Sequence, residues 1–300
     1  MLYLIGLGLG GIRDITLRGF DILKSCDKIY LENYTSVIFN DDGIVIDIVE
    51  ELRKLLSTNA EYIFADREIV ETGTDIINDA KNGLRIALLV VGDPLSATTH
   101  TDLILRAVEN NIDYEVIHNT SIMTAIGSSG LQLYNFGETI SISFWDDYFK
   151  PTSYVSKICK NLVSGLHTLC LLDIKVKEQS VENLIKGKLI YEPPKYMNCS
   201  NAASQILNII RCNPNKILTE NTMSIGLARL GRKSQSIFAG SLVDIIDFSD
   251  EKLGGPLHSL IIVGRCHPIE LSYISHVTGI DCETIKLIYR NHEEILKINV

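Results

Sequence analysis

Residues 85–92 read RIALLVVG, apolar side chains at successive positions closed by a glycine. A strand with one wetted face would alternate. An unbroken run predicts burial on both faces, as for a strand inside a parallel sheet. Parallel neighbours need crossover connections, usually helices, and the flanking sequence has the periodicity for both. Leu2–Leu7, Lys28–Glu32, Glu61–Ala65 and Tyr114–His118 read as further strands. Ile15 to Cys26 has helical spacing with Asp14 as the expected N-cap. Thr98–Asn111 places Leu103, Ile104, Ala107 and Val108 on one stripe, with Thr98 or Thr99 as the expected cap. Alternating strand and helix predicts an α/β domain.

After about residue 120 the pattern changes. Thr139–Trp145 alternates more openly, Thr168–Ile174 reads as a buried strand, and Ser200 is expected to cap a helix running to Arg211. Ser224–Leu230 and Leu257–Gly264 read as strands separated by a less regular stretch, Gly231–Gly255. The segment after Asp281 reads as helical. Open alternation and longer connections predict a mixed sheet. The expectation is two α/β domains, residues 1–120 with a mostly parallel sheet and 121–300 with a mixed one.

Composition narrows the function classes. With 46% hydrophobic and 22% charged residues, the chain has a globular protein's composition. A net charge of −9 argues against nucleic-acid binding by counterion release. The seven cysteines form no C-x-x-C pair and their number is odd, which argues against a disulfide framework and a zinc site. The histidines lack metal-ligand spacing. No basic n-region precedes an apolar core at the N-terminus, and Ile86 to Val91 is far short of the roughly 20 residues of a membrane span. A reducing, cytoplasmic setting with no membrane partner is the expectation.

Four segments are candidates for chemistry. In LIGLGLGG, the spacing Gly6-x-Gly8-x-x-Gly11 matches a dinucleotide fingerprint, with Glu32 near where an acid would bind a ribose. Against this, Asp14 as cap would place negative charge where a pyrophosphate should sit. In GDPLSATTH, Asp93 follows the strongest strand, where it either stabilises a turn or accepts a hydrogen bond from a ligand. In HNTSIMTAIGSSG, Ser121 and Thr124 read equally as ligand contacts or as a helix cap and first turn, and His118 has no nameable partner. In GGPLHSLIIVG, His258 near a strand start reads as a ligand contact or an ordinary strand-edge histidine.

Taken together, MLYLIGLGLG, YTSV, GDPLSATTH, IHNTSIMTAIG, GLQLYNFGETISI, the unbroken stretch His167 to Met197, and GLARLG through GGPLHSLII resemble the eukaryotic diphthine synthase family. That family lies among the tetrapyrrole-methylase-like, class III methyltransferases. The resemblance runs from Met1 to about Ile269. It implies two α/β domains with S-adenosyl-L-methionine in a cleft between them, S-adenosyl-L-homocysteine as product, and a homodimer. It implies elongation factor 2 as protein substrate, carrying a 3-amino-3-carboxypropyl-histidine whose amine is trimethylated and whose carboxylate is esterified. Carried over position by position, the implied cofactor contacts are Leu9, Asp93, Ser121, Ile122, Leu172, Leu230 and His258. Ser96 stands where the family often has glycine, and serine keeps a backbone contact there if its φ is negative.

Methyl transfer from a sulfonium is an in-line displacement in which the protein supplies position and electrostatics. An amine must be unprotonated and a carboxylate is already ionised, so the reading requires no dedicated base and assigns no catalytic residue. Readings from other classes are a nicotinamide oxidoreductase using Gly6, Gly8, Gly11 and Glu32, a small-molecule methylase, and a scaffold that keeps the fold without turnover.

Overall fold

The structure, a computed structural model, describes residues 1–33, 47–176, 190–214 and 216–298. The YTSV segment and the middle of the His167–Met197 stretch lie outside the described residues. Contacts divide the chain into two units, Met1–Ala125 with Lys175–Pro194, and Ile126–Ile174 with Lys195–Val300.

The first unit is built on five strands, β1 (Leu2–Gly6), β2 (Lys28–Glu32), β3 (Glu61–Ala65), β4 (Ile86–Val90) and β5 (Tyr114–Ile117). Their order is β3-β2-β4-β1-β5, and every pair is parallel. All five residues of β1 and of β4 are buried, which is why both read as continuous apolar runs. Helices cover both faces. Tyr3, Ile5, Ile29, Leu31, Ala87 and Leu89 pack with α1 (Leu17–Leu23) and α2 (Ile48–Leu56). Leu2, Leu4, Tyr30, Ile86, Leu88 and Val90 pack with α3 (Arg67–Thr72), α4 (Thr74–Lys81) and α5 (Thr101–Glu109). The chain thus winds from β1 towards β3 with helices on one face, then from β3 to β5 with helices on the other. Right-handed crossovers demand that change of face when the winding direction reverses. The reversal falls between β1 and β4, and in open sheets of this kind ligands bind outside the carboxyl ends of the strands at that point.

Two helix starts differ from expectation. Ile12–Asp14 form a 3-10 turn, and α1 begins only at Leu17. Its cap is Thr16, whose hydroxyl accepts from the Gly19 amide at 3.1 Å, because Asp14 turns back to bind the Gly10 amide at 2.7 Å. Helix α5 has His100 at its N-cap position without a side-chain cap. Thr98 instead donates its hydroxyl to the Pro94 carbonyl at 2.6 Å, which tightens the preceding turn.

The first unit's N-terminal segment ends with α6 (Ile122–Ala125); the second unit then has β6 (Ile140–Ile142), α7 (Ser153–Val163) and β7 (Thr168–Leu172). A short ribbon pairs β8 (Ile174–Lys175) with β9 (Lys195–Tyr196). There follow α8 (Cys199–Cys212), β10 (Met223–Ala228), β11 (Ser236–Ser241), α9 (Leu242–Leu253), β12 (His258–Ile262), α10 (Pro268–Thr278) and α11 (Cys282–Ile298). The sheet order is β11-β10-β12-β7-β6, antiparallel except for β6 with β7. The stretch Gly231–Gly255, expected to be irregular, holds β11 and α9. Its local signal is a capping box, in which Ser241 and Asp244 bond each other's backbone amides. Helix α8 is capped by Asn198 rather than Ser200, which sits one position inside the helix and bonds the Ile246 carbonyl instead.

The second core also encloses titratable groups. His167 and His292 are fully buried. The His167 Nδ1 accepts from the Gly264 amide at 2.9 Å, and its Nε2 lies 3.7 Å from the buried Glu270 carboxylate. Burial holds His167 below its ordinary pKa despite that carboxylate. Burial likewise pushes His292 down to about 4, against the pull of the Val263 and Gly264 carbonyls. Both are therefore neutral in the folded chain near pH 7. In the unfolded chain they take up protons near pH 6.5, so between that value and about 4 the unfolded chain binds more protons. Stability is full above the upper value and falls as the pH drops through this window. The melting temperature is expected to fall between pH 7 and pH 5, and His292→Leu is expected to flatten that fall. An identical pH dependence in wild type and variant would contradict the assignment.

Candidate active site

The loops that leave the carboxyl ends of β1 and β4 hydrogen-bond to one another, the parallel strand pair giving way to an antiparallel bridge. The Leu7 amide donates to the Val90 carbonyl at 2.8 Å, and Gly8 and Gly92 exchange both backbone hydrogen bonds at 3.1 and 2.8 Å. Gly6 is required by this approach, because a Cβ there would stand 2.6 Å from the Gly92 carbonyl oxygen and 2.8 Å from Asn119 Cβ. Gly92 has a φ of +84°, and a Cβ on it would lie 3.7 Å from Ser121 and 4.0 Å from a Leu9 methyl. Leu9, Gly92 and Ser121, far apart in sequence, thus face one another at the carboxyl ends of the strands. The space a side chain at 92 would occupy is a cradle between an apolar and a hydroxyl side chain.

Asp93 holds this arrangement together. Its carboxylate is buried and accepts three hydrogen bonds, from the Leu95 amide at 2.9 Å, the Asn119 amide at 3.0 Å and His118 Nδ1 at 2.8 Å. Burial alone would raise its pKa, but the two amides and His118 together hold it below the ordinary carboxylate value. The carboxylate is ionised, so the His118 nitrogen facing it carries the proton. Three of its roughly four acceptor positions are filled from within the protein, which leaves room for one ligand donor.

Asn119 is the residue that the sequence reading did not single out. Its Nδ2 donates to the Gly6 carbonyl at 3.0 Å and to the Asp14 carbonyl at 2.9 Å, while its Oδ1 accepts from the Thr120 amide at 2.7 Å. With its own amide on Asp93, it joins the ends of β1, β4 and β5. Its signal in the sequence was its place in HNTSIM, immediately after a strand.

The dinucleotide reading of the glycine loop does not fit this geometry. The Asp14 carboxylate occupies the Gly10 amide where a phosphate oxygen would bind, and α1 starts too late to point at it. Glu32 is buried with its carboxylate 3.4 Å from His100 Nε2, whose other ring nitrogen lies 2.8 Å from the Pro94 carbonyl. It is bound within the fold rather than directed at a ribose.

Among the other expected contacts, Ser121 is buried and its hydroxyl accepts from the Met123 amide at 3.2 Å, capping α6, which Ile122 begins half-buried. Ser96 does not have a positive φ; the left-handed residue in that loop is its neighbour Ala97 at +57°. The Ser96 amide donates to the Asp93 carbonyl at 3.2 Å, so it is engaged in the turn.

Leu172, Leu230 and His258 belong to the second unit. His258 pairs with Ala228 and Ser259 with Leu171, so antiparallel β12 begins where β7 and β10 end. The three residues therefore share one end of the second sheet, and all three are buried. The Nε2 of His258 donates to the Gly254 and Gly255 carbonyls at 3.0 and 3.1 Å, and its Nδ1 accepts from the Cys199 amide at 3.4 Å. Burial lowers its pKa, and the ring is neutral with both nitrogens bound to backbone. Arg229 fixes the same end: its guanidinium bonds the Ser234 and Gly255 carbonyls, leaving Leu230 at the tip of the turn.

Among the described residues no group of three or more His, Cys, Asp or Glu could hold a metal ion, and no helix is long and apolar enough to cross a membrane. The family model for Tetrapyrrole (Corrin/Porphyrin) Methylases matches residues 1–213. The chain is similar to the diphthine methyl ester synthase of Bos taurus, at 51% identity with 93% of this chain and 95% of the relative covered. The Homo sapiens protein of the same name is 50% identical, with 92% and 94% covered. A crystal structure from Entamoeba histolytica is 38% identical, with a TM-score of 0.78 and 93% and 98% covered. The chain belongs to the tetrapyrrole (corrin/porphyrin) methylase family, on its diphthine methyl ester synthase branch.

Proposed function

We propose that the protein is an S-adenosylmethionine-dependent methyltransferase acting on elongation factor 2 in diphthamide biosynthesis. Its substrate is the 3-amino-3-carboxypropyl-histidine of that factor, which it trimethylates on the amine and esterifies on the carboxylate. Near 50% identity to relatives named diphthine methyl ester synthase, over more than nine-tenths of the chain, carries this reading. We further read the protein as a cytoplasmic homodimer.

The closed strand ends of the first unit suit the cofactor. Leu9 offers an apolar wall, the Gly92 cradle gives room beside it, and Asp93 keeps one acceptor position for a donor group. Ser121 and Ile122 complete that side, and Ser96 contributes through its side chain, since its amide is held by Asp93. For the second unit, Leu172 and Leu230 supply apolar contact, and His258 shapes its surroundings through backbone rather than through a free ring nitrogen. When bound, S-adenosylmethionine supplies an electrophilic methyl group. The protein's part is to orient the reacting atoms, and alignment of this kind is worth roughly 7–11 kcal/mol of barrier. A nicotinamide role is disfavoured by Asp14 on the Gly10 amide.

Labelled methyl from S-adenosylmethionine is expected to enter elongation factor 2 only when the aminocarboxypropyl group is present. Product mass spectrometry is expected to find four added methyl groups; three would remove the ester-forming step, and none would remove the substrate assignment. Asp93→Ala is expected to weaken S-adenosylhomocysteine binding by roughly 1–3 kcal/mol, the cost of stripping a partner from buried polar groups. Unchanged affinity by calorimetry would reduce Asp93 to a turn residue.

A further inference from the structure

The sequence shows no dyad, but the fold makes one. The buried Asp93 carboxylate accepts a hydrogen bond from His118 Nδ1 at 2.8 Å across 25 residues of chain, because β1 lies between β4 and β5 and brings their ends within reach. Asp93 is ionised and held by two backbone amides, so it fixes both the tautomer and the direction of the ring. The His118 side chain is itself 67% exposed, and its Nε2 makes no hydrogen bond among the described residues. A buried carboxylate on Nδ1 with an open Nε2 is the arrangement of a general base. It stands beside Asn119 and three residues from Ser121, at the same strand ends as Leu9 and Gly92.

We infer that His118 is a catalytic residue, the proton acceptor for the amine methylations. The inference rests on the function proposed above. In each of the three amine steps, a nitrogen–carbon bond forms as the donor's sulfur–carbon bond breaks, with the sulfur keeping the electron pair. One proton must leave the nitrogen each time, and His118 Nε2 takes it and passes it to water. The carboxylate step forms an oxygen–carbon bond at an already ionised oxygen and releases no proton. His118 therefore serves one half of the reaction and not the other, a division that a merely structural residue would not show.

The test is His118→Asn, whose amide keeps a donor near the place of Nδ1 and removes Nε2. Two substrates are used, elongation factor 2 with the unmethylated aminocarboxypropyl group, and the same factor already trimethylated. The expected result is a loss of amine methylation of about 100-fold or more near pH 7, the range for a positioned general base. Ester formation on the trimethylated factor and affinity for S-adenosylhomocysteine are expected to stay within about two-fold. His118→Ala with added imidazole is the second arm, and recovery of amine methylation by the added base is expected. Equal loss in both steps, no loss in either, or no recovery with imidazole would overturn the inference while leaving the function standing. Absence of transfer by the wild-type protein to either substrate would overturn the function, and this inference with it.

Discussion

The first unit depends on hydrogen bonds that close the carboxyl ends of three parallel strands on one another. Strand ends in such a sheet leave their last carbonyls and the following amides without ladder partners. Here one asparagine and one aspartate supply those partners, with Asn119 on Gly6 and Asp14, and Asp93 on Leu95 and Asn119. The glycines serve the same closure. Gly6 lets the β4 loop pass within contact of β1, and that contact permits the Gly8–Gly92 pairing. Each bond contributes only about 0.5–1.5 kcal/mol net. Together they fix where Leu9, Ser121 and His118 stand, and that placement matters more than their sum.

The electrostatics follow from this closure. A buried carboxylate is costly unless its charge is met, and Asp93 is met by two amides and an imidazole donor, so it remains ionised. In the second unit the opposite solution appears: His258, His167 and His292 are buried, and burial holds all three rings neutral. A neutral, fully engaged ring such as His258 shapes a turn, whereas a half-engaged ring oriented by a charge, such as His118, has one nitrogen left for chemistry.

Much of the fold was legible because its signals are local. The unbroken run at Ile86–Val90 marked a doubly buried strand, and β2 and β3 fell where their apolar residues placed them. Elements whose signals are weaker were not found. The β11 and α9 segment is rich in serine, glycine and aspartate, and only its capping box betrays the helix. Asp14 looked like a helix cap because acids favour that place, but the glycine loop offered its carboxylate a nearer amide. Asp93, Ser121 and His258 were candidates from their own segments, while Leu9, Ile122, Leu172 and Leu230 came from a resemblance that names positions and not contacts. The pairing of Asp93 with His118 was hidden because strand order brings the two loops together, and strand order is a property of the whole sheet. The role of Asn119 was hidden for the same reason, since its side-chain partners Gly6 and Asp14 lie more than a hundred residues away and Asp93 lies 26 away.

We propose that the closed strand ends of the first unit hold the methyl donor. A crystal structure of the protein with S-adenosylhomocysteine bound tests it most directly. Ligand density is expected in van der Waals contact with Leu9 and Ser121 over the Gly92 cradle, with a ligand donor on the Asp93 carboxylate. Density elsewhere in the protein, with these residues untouched, would contradict it.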